Sequence, residues 1–249
     1  EEYNNPMPKW WSWLFVITVV FSLVYLALYP GLGNFKGFLG WTSSGQYQIE
    51  RDRMDAAVKP LYDKYSAMDL QAVAGDKQAM EMGKRLYLTY CMQCHGADAR
   101  GAKGFPNLTD SDWQFGGEPA QIEQTIADGR MGMMPAHAQL GADTIKDLAN
   151  YVRSLSGLPN DSVRAAKGKE AFASAGCSGC HGPDAKGMQA LGAPNLTDKV
   201  WLYGSSEATI IETITNGRQN KMPAWKEFLG DAKVHLLAAY VLSLGQGAK

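Results

Sequence analysis

The sequence predicts an all-α protein in which one membrane-spanning helix precedes two copies of a small helical domain. Three observations predict this. Residues 10–29 hold twenty positions without a charge, and the chain beyond residue 76 repeats itself at an offset of 86 to 89 residues. Within each copy the apolar residues recur at helical spacing, with no convincing run of alternating strand pattern. Lys+Arg 24 against Asp+Glu 25 leaves a formal charge of -1, which excludes a generally basic nucleic-acid binder.

The anchor comes first. Trp10 to Tyr29, as a helix rising ~1.5 Å per residue, would span ~30 Å, one hydrocarbon core. Trp10, Trp11 and Trp13 crowd one end and Tyr25 and Tyr29 the other, matching the aromatic belts of a bilayer, and Pro30-Gly31 stops the helix. A buried core helix is usually shorter and seldom uncharged all round. A signal peptide would have a shorter apolar run and a small-x-small cleavage site, unlike Pro30-Gly31-Leu32. Residues 1–45 are therefore the anchor. Residue 1 is Glu and not Met, so the number of spans upstream of Glu1 stays open. Residues 46–75 read as a linker of short helical pieces around Pro60, with a solvated charge run from Glu50 to Asp55.

The repeat follows. Cys91-Met92-Gln93-Cys94-His95-Gly96 matches Cys177-Ser178-Gly179-Cys180-His181-Gly182. Pro106 to Asp110 matches Pro194 to Asp198, Trp113 matches Trp201, Gly129-Arg130 matches Gly217-Arg218, and Met134-Pro135-Ala136 matches Met222-Pro223-Ala224. Each copy ends in an apolar stripe at helical spacing, Ile145, Leu148, Val152 and Leu155 against Val234, Leu237, Val241 and Leu244. A second helix centres on Ile122 and Ile126, or Ile210 and Ile214. A third precedes the cysteines, where Gly83 and Tyr87, or Gly168 and Phe172, sit one turn apart so that a close helix approach is paired with an aromatic filler. Gly157-Leu158-Pro159-Asn160 divides the copies into residues 76–158 and 159–249.

Cys-x-x-Cys-His is the spacing of covalent c-type haem attachment: two thiols add to the haem vinyl groups and the adjacent His ligates iron. Two occurrences in matched repeats predict two covalently bound haem c groups, on Cys91 and Cys94 and on Cys177 and Cys180, with His95 and His181 on iron. The domains are then class I cytochrome c-like, and the haem supplies the staple that a domain of about 80 residues needs. A thioredoxin-type dithiol would need a βαβ context, and a zinc site a fourth ligand at a fitting spacing.

Met134 and Met222 are the second axial candidates, because these methionines alone occupy equivalent positions, each in an irregular loop. Met131 and Met133 are rivals in the first copy. His137 and His235 are unrepeated and read as a loop side chain near the haem edge and a solvent-facing helix residue. Pro106 and Pro194, with carbonyls and no N–H, are placed to accept from the ligand imidazoles, and Trp113, Trp201, Arg130 and Arg218 can donate to haem propionates. Two Met-ligated haems leave no open iron position, so the expected activity is electron relay. Covalent haem c is attached outside the energised membrane, which places residues 31–249 in the periplasm. The copies carry charges of -2 and +2, too small a split to name a docking face.

The stretch from Glu1 to Trp11 with its Asn5-Pro6-Met7-Pro8-Lys9-Trp10-Trp11, the single anchor, Tyr29-Pro30-Gly31 with Gly37 to Trp41, and two c-type domains resemble the dihaem membrane-anchored cytochrome c subunit of cbb3-type cytochrome c oxidases. The resemblance covers essentially the whole chain. It implies a subunit of a proton-pumping respiratory oxidase in the bacterial inner (cytoplasmic) membrane. That subunit contacts membrane lipid and accepts electrons from a c-type cytochrome donor. It passes them through a monohaem cytochrome c subunit to the haem-copper catalytic subunit, where oxygen is reduced. Carried over to this chain, the attachment sites are Cys91, Cys94, Cys177 and Cys180 and the iron ligands His95, Met134, His181 and Met222. Three other readings stay open: a dihaem cytochrome c peroxidase-like enzyme, which would need an open or His-ligated haem; a membrane-bound cytochrome acceptor of a dehydrogenase; and a redox sensor, for which His137 is the one candidate switching ligand.

Overall fold

A computed structural model describes residue 3 and residues 6–246. Glu1, Glu2, Asn4 and Asn5 of the amino-terminal motif, and the last three residues of the second copy, lie outside the described residues. The chain divides into two compact units, Glu1–Leu61 and Tyr62–Lys249.

In the first unit α1 (Lys9–Leu28) is the apolar helix, long and apolar enough to cross a membrane and with no buried residue. Its hydroxyls bond within the helix, as hydrocarbon surroundings demand: Thr18 Oγ1 donates to the Phe15 carbonyl and Ser22 Oγ to the Thr18 carbonyl, each at 2.8 Å. The carboxy-terminal carbonyls, which have no partner inside the helix, are met by the chain folding back. Phe38 N–H donates to Ala27 (2.9 Å) and Leu39 N–H to Leu28 (3.1 Å). Gly37 makes the return possible, with a φ of +73° and a position where a Cβ would overlap the Leu28 carbonyl. Gly37→Ala should therefore undo this cap; hydrogen exchange at Phe38 and Leu39 is expected to accelerate well above that of the parent, while unchanged protection would refute the return.

The next helix, α2 (Ser43–Ser66), contains Pro60. Short pieces were expected here. The helix instead runs through Pro60, which removes one N–H; side-chain pairs a turn apart, Gln46 with Glu50 (2.8 Å) and Gln48 with Asp52 (2.6 Å), support the stretch well before it.

The second unit is mostly helical: α3 (Leu70–Ala74), α4 (Lys77–Tyr90), α5 (Met92–His95), α6 (Pro119–Asp128), α7 (Ala142–Leu155), α8 (Ser162–Ser174), α9 (Ser178–His181), α10 (Glu207–Asn216), α11 (Lys226–Leu229) and α12 (Asp231–Gln246). Asp76 caps α4 by accepting from Gln78 and Ala79 N–H, and Asp161 caps α8 likewise from Val163 and Arg164. Those hydrogen bonds hold both carboxyls below the usual range.

The packing exchanges elements between the copies. The last helix of the first copy, α7, packs on α8 and α10 of the second, whereas α12 packs on α3, α4 and α6. One core accordingly joins Ile145, Leu148, Ala149 and Val152 of α7 to Phe172 of α8 and to Ile210 and Ile214 of α10. The two glycines singled out in the sequence sit at these crossings. A Cβ on Gly83 would lie 2.7 Å from Tyr240 Cβ, and one on Gly168 would overlap the Asp147 carbonyl and lie 2.7 Å from Tyr151 Cβ.

A two-stranded antiparallel sheet also joins the copies. Strand β1 (Arg130–Met134) pairs with β2 (Arg218–Met222) in the register Arg130↔Met222, Gly132↔Asn220 and Met134↔Arg218. The methionine segments were expected to be irregular; each has its ladder partners 84 to 92 residues away in the other copy, where no local pattern reveals them. His235 was expected to face solvent, yet its side chain is only 15% exposed. Its Nε2 donates to the Met68 carbonyl (3.1 Å) and its Nδ1 lies 2.9 Å from Glu123 Oε1, because α12 is covered on the face that α7 leaves open.

Candidate functional site

Each Cys-x-x-Cys-His motif forms a single helical turn, α5 or α9, at the end of a longer helix. His95 N–H closes onto the Cys91 carbonyl (3.0 Å) and His181 N–H onto Cys177 (3.0 Å). Gly96 and Gly182, both with φ near +79°, then reverse the chain so that Gly101 N–H returns to the His95 carbonyl and Gly187 N–H to that of His181, each at 2.8 Å. Both imidazoles are buried, 9% exposed.

Each imidazole uses one nitrogen on the protein. His95 Nδ1 donates to the Pro106 carbonyl and His181 Nδ1 to that of Pro194, both at 3.0 Å. A neutral ring that donates from Nδ1 presents an unprotonated Nε2, the form required of an iron ligand. Burial pushes the pKa of both histidines down, against a smaller opposing effect of these hydrogen bonds, and so favours the neutral form.

The four cysteines are unpaired, with Cys94 and Cys180 exposed and Cys91 and Cys177 partly buried. Burial raises Cys91 to about 11, with Cys94 adding to it, and moves Cys177 in the same direction. A redox dithiol needs a lowered thiol pKa, and burial moves Cys91 and Cys177 the other way.

The methionines enter through the strands. Met134, at the end of β1, packs against the core that holds Phe172, Ile210 and Ile214, together with Cys177, Leu196 and Trp201. It thus lies with the second Cys-x-x-Cys-His motif. Met222 takes the mirrored place: a Cβ on Gly129 would overlap its carbonyl, Trp225 N–H donates to Ile126 (3.1 Å), and the Trp225 ring lies 5.8 Å from that of Tyr90. Gly217 abuts the Met134 carbonyl in the same way. Met131 and Met133 are 58% and 72% exposed. His137 follows the Met134 loop, with its N–H on the Ile214 carbonyl (2.9 Å). The sequence holds both methionines but not the pairing of their strands across copies, since repeat offsets show which residues correspond and not which copy each one packs against.

The remaining candidates divide. Trp201 Nε1 is buried with no hydrogen-bond partner, a donor aimed at an acceptor that the protein does not supply. Trp113 lies against Gly117 and against Gly245 of α12, where a Cβ would come within 3.2 Å of its ring. Arg130 donates to Thr125 (2.9 Å) and Gln124 (3.1 Å) and sits 5.5 Å over Phe115. Arg218 donates to Thr213 and Glu212 and sits 4.3 Å over Tyr203. Two thiols, an imidazole with a bare Nε2, a thioether and an orphaned indole N–H form a donor set that fits haem c and its propionates.

The family described as cytochrome C oxidase, cbb3-type, subunit III matches residues 78–152 and 163–241. The family described as N-terminal domain of cytochrome oxidase-cbb3, FixP, matches residues 1–36. The chain belongs to this cbb3-type oxidase subunit family. The cbb3-type cytochrome c oxidase subunit CcoP of Rubrivivax gelatinosus is 51% identical over 248 residues, 99% of this chain and 81% of that protein. The FixP subunit of Bradyrhizobium sp. (strain ORS 278) is 43% identical over 270 residues, 99% of this chain and 92% of its own, and that of Azorhizobium caulinodans 40% over 265, 99% and 90%. Membership carries two cytochrome c-type domains and implies haem c as the cofactor. It favours the oxidase reading over the peroxidase-like and dehydrogenase-acceptor alternatives.

Proposed function

We propose that the chain is the dihaem electron-relay subunit of a cbb3-type oxidase, anchored by α1 in the bacterial inner membrane with its cytochrome domains in the periplasm. It takes electrons from a c-type cytochrome donor and hands them, through a monohaem cytochrome c subunit, towards the haem-copper subunit. The observation that carries the site is the pair of buried imidazoles bonded through Nδ1 to Pro106 and Pro194. Cys91 and Cys94 would hold one haem covalently and Cys177 and Cys180 the other, with His95 and His181 as iron ligands.

The packing supports an exchange of methionines between copies: Met222 would complete the first site with His95, and Met134 the second with His181. Haem c supplies a one-electron couple at iron. His95 with Met222, and His181 with Met134, held by the fold, would stay on iron through that one-electron change, so it would need little rearrangement. The unpartnered Trp201 indole N–H would be available to a propionate of the second haem, and Trp113, its counterpart by repeat, would stand at the first. Arg130 and Arg218, engaged by their threonines, hold positive charge beside the strands that carry the methionines.

Purified holoprotein tests this reading. Pyridine haemochrome should give two haem c per chain that stay with the polypeptide in acid acetone. The oxidised form should show a sulfur-to-iron band, and carbon monoxide should leave the reduced spectrum unchanged. A shift in half of the haem would instead favour the peroxidase-like alternative.

A further inference from the structure

The two sites share their cysteines, histidines and proline carbonyls, and a buried hydroxyl bonded to the Cys-x-x-Cys-His turn is present only in the first. Tyr87 on α4 is fully buried, and its hydroxyl donates to the carbonyl of Gly96 (2.7 Å), the residue that caps α5 directly after His95. The same carbonyl accepts Ala99 N–H (3.2 Å). At the corresponding place in the second copy stands Phe172, 4% exposed, with its ring 6.5 Å from that of His181. There the Gly182 carbonyl accepts Ala185 N–H (3.1 Å), and Phe172 offers it no donor. The surroundings are otherwise closely repeated: both turns include a buried alanine in the left-handed region, Ala99 (φ 61°) and Ala185 (φ 58°), whose carbonyls accept from Leu108 and Leu196 at 2.8 Å.

We propose that Tyr87 is the positioning residue that sets the two haem sites apart, pinning the Cys-x-x-Cys-His turn of the first site and lowering its reduction potential relative to the second. The inference rests on the reading of His95 and His181 as iron ligands. Oxidised haem carries one more positive charge than reduced haem; because the Tyr87 hydroxyl spends its proton on the Gly96 carbonyl, what it adds beyond Phe172 is an oxygen lone pair, whose partial negative charge favours the oxidised form, whereas an apolar wall favours the reduced form. Burial drives the Tyr87 hydroxyl far above its usual pKa, which keeps it a neutral donor. The aromatic filler thus does the same packing in both copies and different electrostatics in each.

Redox titration of the full-length holoprotein, followed by optical spectroscopy, tests the assignment with Tyr87→Phe and Phe172→Tyr. Haem content is measured first. A parent chain without two haems would sink the site reading itself, whereas the Tyr87 inference is decided only by chains that carry both. Tyr87→Phe is expected to raise one of the two potentials, by up to about tenfold in the reduced-to-oxidised ratio, which is about 59 mV for a one-electron couple, and to leave the other in place. Phe172→Tyr should lower the other. A Tyr87→Phe titration that superimposes on the parent, moves downwards, or moves both waves together overturns the proposal. Tyr87→Phe keeps the aromatic packing and so decides the matter even if Phe172→Tyr does not fold.

Discussion

Met134→Ala is expected to open the haem on Cys177 and Cys180, not the haem of its own sequence copy. Half of the sulfur-to-iron band should disappear, and half of the reduced haem should bind carbon monoxide. Assignment comes from a single-haem background. In a Cys177→Ser, Cys180→Ser chain, which retains only the first haem, Met134→Ala should be spectroscopically silent and Met222→Ala should open the iron. The expectation follows from packing, since Met134 lies among Phe172, Cys177 and Trp201, while the Met222 backbone abuts Gly129 of the first copy. If Met134→Ala opens the remaining haem in that background, the exchange of ligands is wrong and each copy completes its own site.

Why the exchange is absent from the sequence can be stated physically. The stripe Ile145, Leu148, Val152 and Leu155 and its counterpart Val234, Leu237, Val241 and Leu244 are near-equivalent apolar faces, and Gly83 with Tyr87 and Gly168 with Phe172 are near-equivalent receivers. Either pairing buries a similar area, so periodicity gives the faces without giving the partners. The strands were hidden for a related reason. Arg130–Met134 and Arg218–Met222 contain no β-branched residue and lie beside good helices, and only the ladder between copies defines them. What was legible is what chemistry fixes locally: an uncharged stretch of twenty residues, two thiols and an imidazole at fixed spacing, and a methionine repeated in register. His235 shows the limit from the other side. Its helix position has a lysine in the first copy, so it reads as exposed, but exchange places α12 against α6 and the residues before α3, where its ring is bonded to both Glu123 and Met68.

The exchange also couples the sites. Because Met134 pairs with Arg218 and Met222 with Arg130, each methionine is tied through the ladder to the strand that carries the other. Gly129 and Gly217, at φ +71°, admit the Met–Pro backbone of the opposite copy, where any side chain would be both strained and overlapping. A disturbance of one methionine segment therefore reaches the other through backbone, a route that two independent cytochrome domains would lack.

Gly168→Ala is expected to be the most destabilising single methyl addition at the helix crossings. Alanine favours a helix over glycine by about 1 kcal/mol, so an unobstructed site would gain stability. Here the added Cβ meets the carbonyl of Asp147, which belongs to the α7 backbone and cannot rotate aside as a side chain would. Overpacking of that kind costs about 1–3 kcal/mol and occasionally more, and α7 and α8 must separate along their whole contact to relieve it. A net loss of about 2 kcal/mol in a unit of this size lowers Tm by roughly 4–8 °C. Gly83→Ala should cost less, because its nearest neighbours, Tyr240 Cβ at 2.7 Å and the Leu236 carbonyl at 3.0 Å, stand further off. Gly75→Ala, at the end of α3 with φ -86° and no neighbour closer than 3.6 Å, serves as the control and should change Tm little. Thermal unfolding of the three holoproteins, monitored by circular dichroism, should rank them Gly168, Gly83, Gly75 from largest loss to least. If Gly168→Ala unfolds with the control, the close crossing between the last helix of one copy and the first helix of the next does not exist, and the ligand exchange that depends on it falls as well.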